Sequence, residues 1–140
     1  MKKTIIKIPE HSSVLAVDDN EDRLRWFRKS YPGIKVAETP KIAKLYLERG
    51  AFSLVFLDHD CVPGFVDPQD PDFETKTFWS VAQKLMDSTA VVVVHSGNPA
   101  GAKRMAALLR ERPFGETFVY PIGTFEIEIL KCSQLSDLSI

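Results

Sequence analysis

The 140-residue chain reads as an α/β domain, a doubly wound five-stranded parallel sheet with helices on both faces. Three observations predict this. Strand and helix signals alternate along the chain, as they do when parallel strands are joined by right-handed helical crossovers. Three apolar runs stop abruptly at polar groups: Val14-Leu15-Ala16-Val17-Asp18-Asp19, Leu54-Val55-Phe56-Leu57-Asp58-His59-Asp60 and Val91-Val92-Val93-Val94-His95-Ser96. The middle run is apolar at successive positions, as expected of a central strand covered on each side. In open sheets of this kind the ligand crevice lies beyond the carboxyl ends of the strands, where these polar groups fall.

The elements follow in order. Lys3 to Ile8 is either a short leading strand stopped by Pro9 or a tail, and Ser13 to Val17 is the first well-marked strand. Asp19 or Asn20 can cap a helix over Glu21 to Ser30, whose Leu24, Phe27 and Tyr31 form one apolar stripe. Pro32-Gly33 ends it, Ile34 to Ala37 is a second strand, and Thr39-Pro40 opens a helix with Ile42, Leu45 and Tyr46 turned inward. The third strand, Ser53 to Leu57, leads into Cys61 to Thr75, a stretch with Pro63, Pro68 and Pro71 among the acids Asp67, Asp70, Asp72 and Glu74. That is too long for a plain connector. A helix resumes over Thr77 to Asp87, and Val91 to Val94 is the fourth strand. Asn98 as cap and Pro99 as first residue begin a helix to about Arg112, with Lys103, Arg104, Arg110 and Arg112 on its wet face. Thr117 to Tyr120 is the fifth strand, and Phe125, Ile129 and Cys132 suggest a weak last helix.

Composition narrows the function. At 140 residues and 44% hydrophobic content, one domain can bury its own core. A net charge of −1 with both signs mixed gives no field to draw in bulk nucleic acid or an anionic membrane, so any anion site must be local. No apolar run approaches the ~20 residues of a membrane span. The first residues lack a signal peptide's apolar core, and Cys61 and Cys132 are too few for a disulfide framework. A cytoplasmic protein with reduced thiols is the expectation.

Carboxylates brought together at one sheet edge repel one another unless a cation neutralises them. Asp18, Asp19, Asp58 and Asp60 are therefore the candidate metal ligands, with no lysine or arginine in evidence beside them. Mg²⁺ suits an oxygen-rich set; ligation by His59 or His95 would favour Mn²⁺, Fe²⁺ or Zn²⁺. His95 at a strand tip is a candidate general acid or base. His59 either joins it or, because residues alternate faces along a strand, points into the helix layer. Backbone N–H groups of Ser96, Gly97, Ala100 and Gly101 at a helix start are a candidate phosphate cradle, and Asn98 is either cap or phosphate contact.

The order of these groups resembles the receiver domain of bacterial response regulators over residues 13 to 132: Asp18-Asp19, then Asp58, then Ser96, then Tyr120-Pro121. The resemblance implies a CheY-like, flavodoxin-type sheet of strand order 2-1-3-4-5, and Mg²⁺ bound by the acid pair and Asp58. It also implies that Asp58 is a phosphoacceptor. Tyr120 stands where that family has a lysine, and the proline after the phosphoacceptor comes one residue late, at Pro63. Asp58-His59-Asp60 after Leu57, and His95-Ser96-Gly97-Asn98-Pro99 with Gly101, look more specifically like the LDHD and HSxNPxG signatures of cyclic-phosphate-processing receiver domains. That likeness implies action on a cyclic phosphate, with His95, His59 and Asp58 as the catalytic set and Ser96, Gly97, Asn98 and Gly101 holding phosphate. The implied partner is a phosphate-bearing small molecule or RNA terminus. The alternative is a single-domain signalling module, phosphorylated on Asp58, that works through a protein partner.

Overall fold

The computed structural model describes residues 3–131 and 133. Its first half comprises β1 (Thr4–Pro9), β2 (Val14–Val17), α1 (Glu21–Ser30), β3 (Lys35–Ala37), α2 (Pro40–Arg49) and β4 (Leu54–Leu57). The second comprises α3 (Phe73–Lys76), α4 (Trp79–Leu85), β5 (Val91–Val94), α5 (Pro99–Leu109), β6 (Thr117–Val119) and β7 (Phe125–Leu130). The caps form as the sequence requires: Asn20, Thr39 and Asn98 each accept, through a side-chain oxygen, the amide three residues on. Pro40 and Pro99 occupy the first helical turns, where a missing N–H is harmless.

Five strands form one parallel sheet in the order β3-β2-β4-β5-β6. Counted from β2, this is the 2-1-3-4-5 order. Residue alternation divides the core in two. Leu15, Val17, Val55, Leu57, Val92 and Val94 face α2, α4 and α5 through Ala43, Val81, Leu85, Met105 and Leu109. Ala16, Phe56 and Val93 face Leu24 and Phe27 of α1.

The second face holds the main departure from expectation. The segment from Phe125 is a strand, not a weak helix, and it pairs in parallel with β1 from Thr4↔Phe125 to Pro9↔Leu130. Phe125-Glu126-Ile127-Glu128-Ile129 alternates apolar with acidic, a period of two that fits a half-buried strand better than a helix. The ribbon lays Ile8 and Phe125 over Phe27 and Phe56 and completes the layer beside α1. Cys132, counted toward that helix, lies outside the described residues.

Three smaller corrections follow from packing. The helix expected over Thr77 to Asp87 starts only at Trp79, as α4, because Thr77 is drawn into an antiparallel bridge with Asp60; α3 lies before it, at the end of the inserted stretch. In α2 the buried residue is Ala43, whereas Ile42 and Leu45 are 43% and 37% exposed. Arg112 is buried, not on a wet face: its guanidinium donates to the carbonyls of Leu109, Ser88 and Gly115, and burial lowers its pKa.

Candidate functional site

Register builds the site. Val17 lies opposite Leu57, and Leu57 opposite Val94, so the next residues, Asp18, Asp58 and His95, stand level on adjacent strands. Two positions back, Ala16, Phe56 and Val93 all face α1, and alternation turns the three polar groups to that same side. They meet there: one ligand atom from each lies within 4.8 Å of the others.

Arg23, in the first turns of α1, reaches into this group. Its Nε donates to Asp18 Oδ2 at 2.7 Å, and its Nη2 donates to Asp18 Oδ1 at 2.9 Å and to Asp58 Oδ2 at 3.2 Å. Asp19 is 3.8 Å from the same nitrogen. His95 Nε2 lies 2.7 Å from Asp18 Oδ2, and since a carboxylate only accepts, that nitrogen carries the proton. The expectation that no cation stands beside these acids is thus corrected. Arg23 carried a signal of its own, since a guanidinium one helical turn past the cap of a helix that follows Asp18-Asp19 is within reach of a strand-end acid.

One guanidinium does not neutralise three carboxylates. Burial would raise the Asp18 pKa, but hydrogen bonds from His95 and Arg23 outweigh it and hold Asp18 well below the usual carboxylate range. Asp58 lacks that support. Burial pushes it up to about 6, the nearby Asp18 charge adds to the rise, and His95 and Arg23 offset it only in part. Asp19 is also raised, by burial and by Asp18. The Cys61 thiol, raised by burial to about 11, donates to the Thr75 carbonyl and has no thiolate character to offer.

His59 points away. Fully buried, its ring packs against Phe73 and under Gly101, on the side of the sheet opposite His95. Its Nδ1 lies 2.8 Å from Asp60 Oδ1. Asp60 also accepts from Asn98 Nδ2 at 3.1 Å and from the Val66 amide at 3.3 Å. Asp60 therefore ties β4, the start of α5 and the inserted loop together, and its oxygens stand outside the triad that could share an ion. Asn98 is the α5 cap, its Oδ1 accepting from the Gly101 amide at 3.0 Å. With that N–H engaged, Gly101 offers nothing to a phosphate; its place is against His59, where a Cβ would come within 2.7 Å of the ring.

Above these groups a cavity of about 240 Å³ is lined by Asp19, Arg23, Asp58, Asp60, Ser96 and Gly97, and walled by the inserted loop at Val62 to Phe65. Neither histidine lines it. Gly97 is exposed on the rim, and its amide has no protein acceptor among the described residues. Ser96 Oγ accepts from the Asn98 amide at 3.0 Å and keeps its own proton free to donate. Tyr120 stacks on Phe118 on the ribbon side and brings no cation to the cavity.

The family model described as cyclic-phosphate processing receiver domain matches residues 14–111. Among solved structures, a CheY-like response regulator receiver domain from Methylobacillus flagellatus aligns with a TM-score of 0.55 at 12% identity, covering 91% of this chain and 94% of that one. A response regulator from Burkholderia pseudomallei, solved with a phosphorylated aspartic acid, a calcium ion and citrate, aligns with a TM-score of 0.52 at 15% identity. It is covered over 62% of its length, and 81% of this chain takes part. At such identities the structural likeness speaks for the fold. No curated protein matches the chain.

Proposed function

The chain belongs to the cyclic-phosphate processing receiver domain family, and from that premise we propose that its cavity binds a cyclic phosphate, such as a 2′,3′-cyclic nucleotide or RNA end, and opens the ring by hydrolysis. One observation carries the reading. Strand register sets Asp18, Asp58 and His95 level beneath a single cavity whose rim is the start of α5.

A hard divalent ion fits this donor set: ligand atoms of Asp18, Asp58 and His95 cluster, and Asp58 and Asp19 are both raised by burial and, after it, by the Asp18 charge. Asp18, Asp58 and the adjacent Asp19 would hold it, and Mg²⁺ suits such an oxygen set, His95 Nε2 being engaged with Asp18. Such an ion supplies an acidified water and a polarised phosphoryl oxygen. The chain does the rest. Arg23 can pair with two phosphate oxygens at once, while the Ser96 hydroxyl, the Gly97 amide and the α5 dipole face the anion from across the cavity. Asp58 lines the cavity and would hold the ion there; its rise to about 6 belongs to the ion-free protein, where burial and the Asp18 charge oppose its ionisation. His95 holds Asp18 and His59 holds Asp60, so both histidines act as positioning residues.

The test is turnover of 2′,3′-cyclic AMP with Mg²⁺ or Mn²⁺. Wild-type protein is expected to open the ring, and Asp58→Asn, which would lose an ion-holding oxygen, to fall at least about 10-fold in kcat, the lower range for disturbing a metal ligand's surroundings. Absence of turnover with every divalent ion, together with a stable beryllofluoride adduct on Asp58, would replace this reading with that of a phosphorelay module.

A further inference from the structure

We propose that Arg23 is a resident counter-cation that a divalent ion displaces, and that the released guanidinium then serves as the phosphate ligand. This rests on the metal-assisted reading above and adds the order of events at the site.

Asp18 is saturated. Its Oδ1 accepts from the Asn20 amide and Arg23 Nη2, both at 2.9 Å, and its Oδ2 accepts from Arg23 Nε and His95 Nε2, both at 2.7 Å. Those four bonds fill about the four lone-pair sites of a carboxylate, so an ion gains a place only if a donor leaves. The donors differ in their freedom to do so. The Asn20 amide is backbone at the start of α1, and the His95 side chain is 0% exposed and wedged against Phe27. Arg23 is a long side chain, 35% exposed, already lining the cavity. Its departure frees an acceptor site on each Asp18 oxygen and the Asp58 Oδ2 contact together, two of the three residues whose atoms cluster for an ion.

Charge favours the exchange. A single positive charge leaves both Asp58 and Asp19 repelled by Asp18, whereas two positive charges at one point relieve that repulsion. The guanidinium, anchored to α1, stays within the same cavity, and there a substrate phosphate supplies the planar, bidentate partner it has given up. Substrate and ion thereby support each other's binding: the ion frees the guanidinium and the phosphate keeps it away from the acids.

The metal alone tests this. In calorimetric titration with Mn²⁺, Arg23→Gln is expected to bind the ion about tenfold tighter than wild type, or about 1.4 kcal/mol, with Arg23→Lys between them. Inorganic phosphate added to the Mn²⁺-loaded protein should bind Arg23→Gln at least about tenfold more weakly than wild type. In wild type, Mg²⁺ should move the Arg23 Nε–H resonance from its ion-paired position, a readout that stands even if Arg23→Gln fails to fold. Unchanged or weaker Mn²⁺ binding by Arg23→Gln, or an Arg23 resonance that stays put while Mg²⁺ binds, overturns the displacement and leaves the metal pocket intact. Failure of wild type and both variants to bind any divalent ion removes the metal-assisted reading itself.

Discussion

Asp58 shows what a buried carboxylate at the proposed site costs the fold. Its folded-state pKa of about 6 exceeds its ordinary value of 3.8, so the native state holds the extra proton between those limits. Stability from this group is therefore lower above pH 6 and recovers as pH falls toward 4. Asp58→Asn, in chelator, is expected to stabilise the protein at pH 7.5 by about 2 kcal/mol, with the gain vanishing near pH 4. Urea unfolding across that range checks it; a gain that does not depend on pH would sink the assignment. Asp18 behaves in the opposite sense, with a contribution that is full above 3.8 and fades below it. Gly101 gives a second residue-scale expectation. Alanine improves helix propensity by about 1 kcal/mol, yet its methyl would meet a fully buried imidazole, an overpacking cost of about 1–3 kcal/mol. A net loss of stability is expected in thermal melts, with the His59 ring resonances shifted; a Gly101→Ala protein more stable than wild type would show that the ring yields freely.

Among elements, the β1–β7 ribbon is the one whose role exceeds its sequence signal. Phe125 is buried, stacks on Phe56 at 5.7 Å and meets Trp26 edge-on at 5.5 Å. Phe125→Ala should therefore cost about 3–5 kcal/mol, within the range for buried aromatic truncation. The strand ends that hold Asp18 and Asp58 are set by the five-stranded sheet, so Mn²⁺ affinity in the surviving fold should change little. Denaturant midpoints together with ion titration would separate the two effects. Stability close to wild type would mean that the ribbon merely covers the sheet without supporting it. Arg112 acts between elements in the same way, clasping the Ser88 carbonyl beyond α4 and the Leu109 carbonyl at the end of α5. As a charge without a carboxylate partner among the described residues, it is held by neutral acceptors alone, which is why burial depresses its pKa.

At the scale of the whole molecule, a net charge of −1 provides no overall field for anions, so the proposed function confines their recognition to the cavity. Single-stranded RNA with an ordinary 3′-hydroxyl end is expected to bind no better than about millimolar at about 150 mM salt, since a net charge of −1 favours little counterion release. Fluorescence anisotropy with matched RNAs, one ending in a 2′,3′-cyclic phosphate, measures this directly. Micromolar binding of both RNAs alike would contradict a local site. Among the described residues no helix is long and apolar enough to cross a membrane, which accords with the chain's short apolar runs.

The sequence by itself determined the strand and helix alternation, the cap at Thr39, a first cap at Asp19 or Asn20, and the strand tips at Asp18, Asp58 and His95. Each of these is a local property: periodicity, a capping oxygen, an apolar run that ends in charge. Period-two alternation even contained the outward turn of His59, because Asp58 and His59 cannot share a face. Only the tertiary structure decided that Arg23 fills the gap between Asp18 and Asp58, that Asp60 braces the inserted loop instead of joining the triad, and that Phe125 begins a strand beside β1. Those outcomes depend on which residues from distant segments arrive at the same point. A guanidinium, a carboxylate or a half-polar strand has no intrinsic partner until the folded sheet presents one.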